Sequence, residues 1–576
     1  MTPPAGPRVK FRAARYRSLV EPLLEGYRSD PARIALTIVH DDEAEETLTA
    51  GQLHLQACAG AGVLRAAGLE AGDIAILALR HGRELITSFW GCVYAGIVPA
   101  IIAYKSPMTD TAAYGARLRE QAGSTGCRLV VTLPELKAEV EKSLAATGCR
   151  VMSVHGGGRD APPAAADILS SLPRPGGEAI AYLQFSSGSS GSPKGILLSH
   201  RAILNQVQSF TASMGIRKRD RVVNWLPLYH DFGLFGGLVI PLFNSIPSVL
   251  LSPFKWLRNP LFHLQLVQRH AATISYMPNS ALNHAVRCAA GRDLRDLDVS
   301  SLRVLLNGSE PILYESQQEF LRCFARCGFR ESALANGYGM AENTLGAAYG
   351  VRNRRRRADW VWAQAMHARR KALPAPARAR GAKPNVSSGK AMESMTIAIF
   401  AASGRRLGER SIGEIALKSP SLFSGYLHEP GRTAEVMKRG WYHTGDLGYV
   451  AAGHLYVCGR RKNLIIMGGH NIHPEDLERV AAGVPGIRAD RVVALGVMDK
   501  TLGTERIVMV CGLERPAGEQ ERAAMEKELR RQLFAKLELT PAEVRFVDKN
   551  WIARTQNGKI ARAANLEKYE KAQRPA

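Results

Sequence analysis

No apolar run in this chain approaches the length of a membrane span. The run Leu234 to Phe243 (LFGGLVIPLF) has ten residues, and a spanning helix needs about 20. The N-terminal stretch MTPPAGPRVKFRAARYRSL is arginine-rich and lacks the apolar core of a signal peptide. It reads as a frayed terminus or a transit peptide. The nine cysteines are odd in number and contain no C-x-x-C pair. Cys323 and Cys327 stand closest, and neighbouring histidines complete no zinc spacing. A disulfide framework and a structural zinc site are therefore excluded, and reduced thiols are expected. Internal repeats of solenoid period are also missing. Acidic residues are the minority, 52 against 76 lysines and arginines, which gives a net charge of +24. These absences predict a cytoplasmic protein with no integral membrane segment, whose basic surface favours anionic partners.

The 576 residues exceed one ordinary core, so two or more domains are expected. Residues 47 to 104 read as helix, short buried strand and helix. DIAILAL (73–79), RLVVTL (128–133), AIAYLQF (179–185), SVLLS (248–252), ATISYM (272–277) and RVLLNG (303–308) are apolar runs suited to strands covered on both faces. Helical patterns separate them, which predicts an α/β fold with a largely parallel sheet. Residues 350 to 390 are rich in Arg, Ala and Pro, with RNRRRR at 352–357, and read as a loop or insertion. From Met395 to Val457 short alternating pieces with glycine turns predict a small antiparallel barrel or sheet. A mixed α/β segment follows the basic turn GRRKN.

The stretch YLQFSSGSSGSPKGILLSH (182–200) sets a glycine–serine loop between two apolar strands. Glycines let backbone N–H groups approach phosphate oxygens, serine hydroxyls add donors and Lys194 adds a point charge. The Walker pattern is not met, because Lys194 is followed by Gly195 and not by Ser or Thr. The competing reading is a flexible linker.

The motifs that follow resemble, in order, those of the adenylate-forming superfamily, the acyl-CoA synthetase and luciferase-like enzymes. They are SSGSSGSPKG (186–195), WLPLYHDFGL (225–234), NGSEPI (307–312), NGYGMAE (336–342), YHTGDLGY (442–449), GRRKNLIIMGGHNIHPEDLE (459–478) and RTQNGKIAR (554–562). Together they run over roughly residues 45 to 565. Within that superfamily the chain is most similar to the fatty acyl-AMP ligases, through YHD followed by FGLFGGL, LLNGSEP, and FARCGFRESALANGYGMAEN. The basic segment before VSSGK (386–390) lies where those ligases carry an insertion. Many of them lack a lysine at the position of Lys194, which leaves the acceptor open between carrier protein and CoA.

The resemblance implies a large N-terminal adenylation domain, residues 1–459, of parallel-rich sheets flanked by helices. Within it lie a basic insertion at about 350–386 and a small β subdomain at about 387–459. A small mobile α+β lid, 460–576, completes the chain. It implies ATP and Mg²⁺ as cofactors and a medium- or long-chain fatty acid as substrate. Ser186, Ser187, Gly188, Ser189, Ser190, Gly191 and Lys194 would hold the leaving phosphates. Gly308, Ser309, Asn336, Gly337, Tyr338, Gly339 and Met340 would form the adenine slot, where a flat ring stacks on a purine. Asp446 would accept from the ribose hydroxyls, with Arg460 assisting. Glu342 would hold Mg²⁺, which takes few carboxylates beside phosphate oxygens. Lys559 would bridge the carboxylate and the α-phosphate. Lys462 would be the hinge, with Gly468–Gly469 facing the site in a second lid pose. His230 reads either as a wall beside the acyl carboxylate or as a satisfied core histidine. Phe232, Phe235, Met277 and Ser280 are candidate pocket linings.

The resulting expectation is an acyl-AMP ligase that loads an acyl carrier protein, whose acidity suits a basic ligase. Arg354–Arg357 are then a candidate docking patch. The same-class alternative is an acyl-CoA synthetase. A nucleic-acid-binding protein would need basic residues interleaved with stacking aromatics on one face. The arginine cluster has only Trp360 and Trp362 near it, so no nucleic-acid partner is expected.

Overall fold

The computed structural model describes residues 6–105, 111–154, 175–186, 194–350, 358–467, 470–499, 504–537, 539–548, 550–555 and 558–573. Its largest sheet has nine strands, in the order Lys390–Ala391, Gly346–Tyr349, Leu334–Gly339, Val304–Asn307, Ile274–Tyr276, Val222–Asn224, Ser248–Leu251, Ile34–Val39 and Glu45–Thr49. From Leu334–Gly339 across to Ile34–Val39 all neighbours are parallel. A second sheet, Val98–Ile101, Ile74–Ala78, Leu129–Thr132 and Arg150–Ser153, is parallel throughout. One of the six apolar runs picked from the sequence, AIAYLQF, is strand Ile180–Ser186 of a separate antiparallel sheet. The other five are strands of these two sheets. They are buried because helices cover both faces, and an all-apolar run is stable as a strand only there.

Local chemistry sets the helix starts. Thr49 and Gln52 form a reciprocal capping box ahead of helix Ala50–Ala66. Ser199 caps helix His200–Met214 through the Ala202 N–H. The core between the two sheets is aromatic-rich: Phe89, Trp90, Tyr94, Tyr182 and Phe235 are fully buried. The Tyr182 ring meets Phe89 and Phe235 edge-on, at centroid distances of 5.8 and 5.9 Å.

Strand Ile180–Ser186 pairs antiparallel with Lys194–Ser199, so Ser186 faces Lys194 across the neck of the glycine–serine loop. Residues 187–191 of the predicted phosphate cradle lie outside the described residues. The antiparallel region expected after residue 395 is a six-stranded sheet. It is built on Thr396–Phe400, Gly413–Lys418, Trp441–Ala451 and His454–Arg460, with short edge strands Arg406–Leu407 and Met437–Lys438.

The segment 350–390 departs from its reading as a loop. Its described part folds as strand Ala358–Trp362, helix Ala363–Arg369 and strand Ala382–Val386, and the two strands pair with each other. It docks on the C-terminal part of the chain. There Ile487–Asp499, Thr504–Leu513 and Glu543–Val547 form a sheet, and Ala363 joins its core with Ile465, Ile472 and Leu477. Lys383 of the insertion makes a buried ion pair with Asp476, in the first turn of helix Pro474–Ala482. Arg354–Arg357, the docking patch expected from the sequence, lie outside the described residues.

Candidate active site

The central parallel strands end at one edge, where ligands of open α/β sheets bind. Val304–Asn307 and Leu334–Gly339 are locked in register there by a buried amide network. Gln317 Nε2 donates to Asn307 Oδ1 at 3.0 Å and to Asn336 Oδ1 at 2.6 Å, and Asn336 Nδ2 donates to the Ser387 carbonyl at 2.9 Å. The Asn336 side chain is thus held by protein partners. The backbone beyond the strands is closely apposed: a Cβ on Gly308 would sit 3.1 Å from the Gly337 carbonyl oxygen. Ser309 follows with φ +67°. Tyr338 stands beside this turn.

Tyr338 leads to the second group. Its hydroxyl donates to Asp446 Oδ2 at 2.7 Å, and Arg460 Nε donates to Asp446 Oδ1 at 2.9 Å. Asp446 and Arg460 face each other across strands Trp441–Ala451 and His454–Arg460. Tyr338, 108 residues away in sequence, thus meets this strand pair on one buried carboxylate. Burial, then the Asp446 charge, holds the Tyr338 phenol well above its usual range. Asp446 in turn raises the Arg460 guanidinium.

A third group surrounds Glu342, in the short turn Ala341–Asn343. The Tyr426 hydroxyl donates to Glu342 Oε1 at 2.9 Å. Lys194 Nζ lies 5.0 Å from the centre of the same Tyr426 ring. Arg432 lies over that ring too, at 5.9 Å. Sequence reading missed Tyr426 and Arg432. Tyr426 sits 84 residues from Glu342 and belongs to the two-residue strand Gly425–Tyr426, which pairs with Lys194–Ser199. No local pattern marks such a residue.

The local field is positive. Burial and the Arg432 charge push the Lys194 ammonium down. Lys462, in the turn Arg461–Asn463, is pushed down to about 8, first by desolvation and then by Arg460, Lys194 and Arg432. Four cations converge on Glu342 and Asp446, an arrangement suited to a polyanion.

The fourth group is the turn Tyr229–Asp231. His230 Nδ1 lies 2.5 Å from Asp231 Oδ1. The Gln184 amide donates to the Tyr229 carbonyl at 2.8 Å. Burial works against the Asp231 charge, but His230, the Phe232 N–H and Lys559 outweigh it and bring the carboxyl below its ordinary value. Lys559, from the C-terminal part, makes the smallest of these contributions, so its charge is felt at this turn. The Gly558 φ of +75° and a mutual pair of bonds hold the Lys559 backbone: Thr555 N–H to Lys559 O at 2.7 Å, and Lys559 N–H to Thr555 Oγ1 at 3.2 Å. Asp231 then opens the π-helical turn Phe232–Val239. The turn packs on that helix so closely that a Cβ on Gly233 would lie 2.1 Å from the Pro227 carbonyl oxygen. Gly233→Ala is therefore expected to cost at least the roughly 1–3 kcal/mol typical of overpacking, measured by urea unfolding.

Of the predicted site residues, Lys194, Glu342, Tyr338, Asp446, Arg460, Lys462, His230 and Lys559 therefore gather around the ends of the parallel strands. Gly337 and Gly339 flank Tyr338 in strand Leu334–Gly339, and Met340 follows ahead of Glu342, its N–H bonded to the Leu345 carbonyl at 2.8 Å. The Gly468–Gly469 pair lies outside the described residues. Phe232, Phe235 and Met277 are buried, and Ser280 donates to Glu310 through its N–H and hydroxyl at 2.7 and 3.0 Å.

The profile of the AMP-binding enzyme family matches residues 25–427. The chain belongs to that family. A Caulobacter vibrioides protein provisionally named an acyl-CoA synthetase is 31% identical over 539 residues, 92% of this chain and 91% of that one. The medium-chain-fatty-acid–acyl-carrier-protein ligase JamA of Moorena producens is 29% identical, over 87% of this chain and 86% of its own. A structure from studies of fatty acyl-adenylate ligases of E. coli and L. pneumophila superposes with a TM-score of 0.87 at 29% identity, covering 97% of this chain and 99% of that one. The protein is an adenylate-forming ligase of the fatty acyl-AMP ligase or acyl-CoA synthetase type, and it adenylates a carboxylic acid.

For an AMP-binding enzyme the depressed Lys462 has a measurable consequence. Triphosphate bound among these cations would restore the charged form, so ATP binding near pH 8 is expected to take up protons. Calorimetry in buffers of different ionisation enthalpy would show a buffer-dependent heat that Lys462→Ala removes. In the free protein the sign is set by linkage. The unfolded lysine holds its proton up to about 10.4, while the folded one releases it near 8. This group's contribution to stability therefore rises between those pH values.

Proposed function

We propose that the protein activates a medium- or long-chain fatty acid with ATP to acyl-AMP, releasing pyrophosphate, and passes the acyl group to the phosphopantetheine thiol of an acyl carrier protein. The observation that carries this reading is the near-complete coverage of fatty acyl-adenylate and acyl-carrier-protein ligases at close to 30% identity. Buried Phe232 and Phe235, in the helix that follows the His230 turn, suit an apolar chain.

The reaction has one displacement per half. A carboxylate oxygen bonds to the α-phosphorus as the bond to the β-phosphate oxygen breaks, and pyrophosphate leaves. The protein's part is positioning and charge stabilisation. Lys559 neutralises the acid and the α-phosphate together, and an ammonium on a flexible stem is suited to that. Asp446 accepts from the ribose hydroxyls, with Arg460 fixing its second oxygen. Tyr338 and the Gly308–Ser309 turn receive adenine. Lys194, with the loop that begins at Ser186, takes the leaving phosphates. His230 is held by Asp231 as a wall beside the acid.

Glu342 is the candidate Mg²⁺ ligand. Among the described residues no cluster of three or more His, Cys, Asp or Glu could hold a metal unaided. A single carboxylate next to bound phosphate oxygens is nevertheless a donor set that Mg²⁺ accepts, and Glu342 has the right chemistry beside Lys194 and Arg432. When bound, the ion would neutralise phosphate charge. Glu342 itself is oriented by the Tyr426 hydroxyl.

The provisional synthetase name of the Caulobacter relative favours a second acceptor, CoA. Acyl-AMP formed in place is offered either holo acyl carrier protein or CoA, and the thioester is followed by mass spectrometry. Faster acylation of the carrier protein is expected. Acylation of CoA alone would overturn the acceptor and leave the adenylation half standing.

A further inference from the structure

Cys127 and Cys149 bring two thiols into direct contact. Their sulfurs are 3.5 Å apart. The two residues precede neighbouring parallel strands, Leu129–Thr132 and Arg150–Ser153. The Arg150 N–H to Arg128 carbonyl bond, 3.1 Å, fixes the backbone between them. Each sulfur is also anchored: Cys127 Sγ bonds the Leu129 carbonyl at 3.0 Å, and Cys149 Sγ approaches the Arg150 carbonyl at 3.6 Å. Cys127 is 6% exposed, while Cys149 is partly open to solvent. The pair lies at the amino ends of its strands, and the nucleotide site lies beyond the carboxyl ends of a different sheet.

We propose that Cys127 and Cys149 are a redox modification site, a dithiol that a hydroperoxide converts to an intramolecular disulfide. The partly open Cys149 sulfur attacks one peroxide oxygen. The S–O bond forms, the O–O bond breaks, and the other oxygen leaves as an alcohol or water after taking a proton. Cys149 is then a sulfenic acid, oxidised by two electrons, and the peroxide is reduced. Cys127 sulfur attacks Cys149 sulfur, the S–S bond forms, the S–O bond breaks, and hydroxide leaves as water with the Cys127 proton. The sulfurs need only close from 3.5 Å to about 2.0 Å. The product ties edge strand Arg150–Ser153 to its neighbour.

Electrostatics distinguishes the two roles. The contact with Cys127, and then the Arg150 charge, bring the Cys149 thiol below its ordinary value despite burial. Burial pushes Cys58, Cys92, Cys323, Cys327, Cys458 and Cys511 up. Thiolate character and access select the sulfur that is oxidised first.

The test treats the whole protein with a slight excess of hydrogen peroxide, then blocks, denatures and maps its peptides. A Cys127–Cys149 linkage formed before any other thiol is lost, and reversed by dithiothreitol, is expected. In Cys127→Ala the Cys149 sulfenic acid should persist and be captured by dimedone, and Cys149→Ala should lose the reaction at both positions. Unchanged ATP-dependent adenylation would show that both variants fold. Prior oxidation of other cysteines, or Cys149 reaching the sulfinic state in the wild-type protein without a linkage, would overturn the proposal. The wild-type map decides this without either variant.

Discussion

Replacing Lys559 by alanine is expected to lower acid-dependent pyrophosphate release by about 10²- to 10³-fold, the usual cost of removing one preorganised donor to developing charge. The residue sits on a short turn whose backbone is fixed by Thr555 and by the left-handed Gly558. Its charge is the smallest of those that favour the Asp231 carboxylate, in the turn at the candidate site. Because the turn is held by backbone bonds and not by the lysine stem, the variant should keep its unfolding midpoint. Transfer from presynthesised acyl-AMP to a thiol should also survive, since the lysine is assigned only to the first displacement. Loss of both halves would mean that the substitution damages the fold or that Lys559 serves the thiol step too.

The second large effect is expected at Asp446. Its two oxygens take Tyr338 and Arg460, and it is 7% exposed. Asp446→Ala removes the acceptor proposed for the ribose hydroxyls. Two hydrogen bonds to a charged group, at roughly 1.5–3 kcal/mol each, correspond to a loss of about 10²- to 10⁴-fold in kcat/KM for ATP. The loss should appear mainly with ATP as the varied substrate, while the acid KM moves little. Asp446→Asn keeps the shape and one acceptor and should fall between the two. An equal loss for both substrates would reassign Asp446 to holding the strands together.

The fold was legible where burial and apolarity coincide. DIAILAL and RLVVTL lie between helix layers, so their composition announces the strand. The insertion was not legible for the opposite reason. In strand Ala382–Val386 the buried positions include Lys383 at 5% and Asn385 at 6% exposure. Lys383 is satisfied by Asp476, and Asn385 by Tyr449 at 3.2 Å. Polar residues buried by partners more than 60 residues away leave no periodicity to read. The site divides the same way. Asp446 and Glu342 stand in motifs, so they were named from the sequence. Tyr426, which touches Glu342 and underlies Lys194, stands in none. The His230 alternatives also needed the structure, because only it sets His230 Nδ1 2.5 Å from Asp231 Oδ1.

The central claim is that this site joins a fatty carboxylate to AMP. The most direct measurement is exchange of labelled pyrophosphate into ATP, with carboxylic acids from acetate to long chains offered one at a time. Exchange that depends on the acid and peaks at a medium or long chain is predicted. Exchange without any acid, or none with every acid in the series, would contradict it.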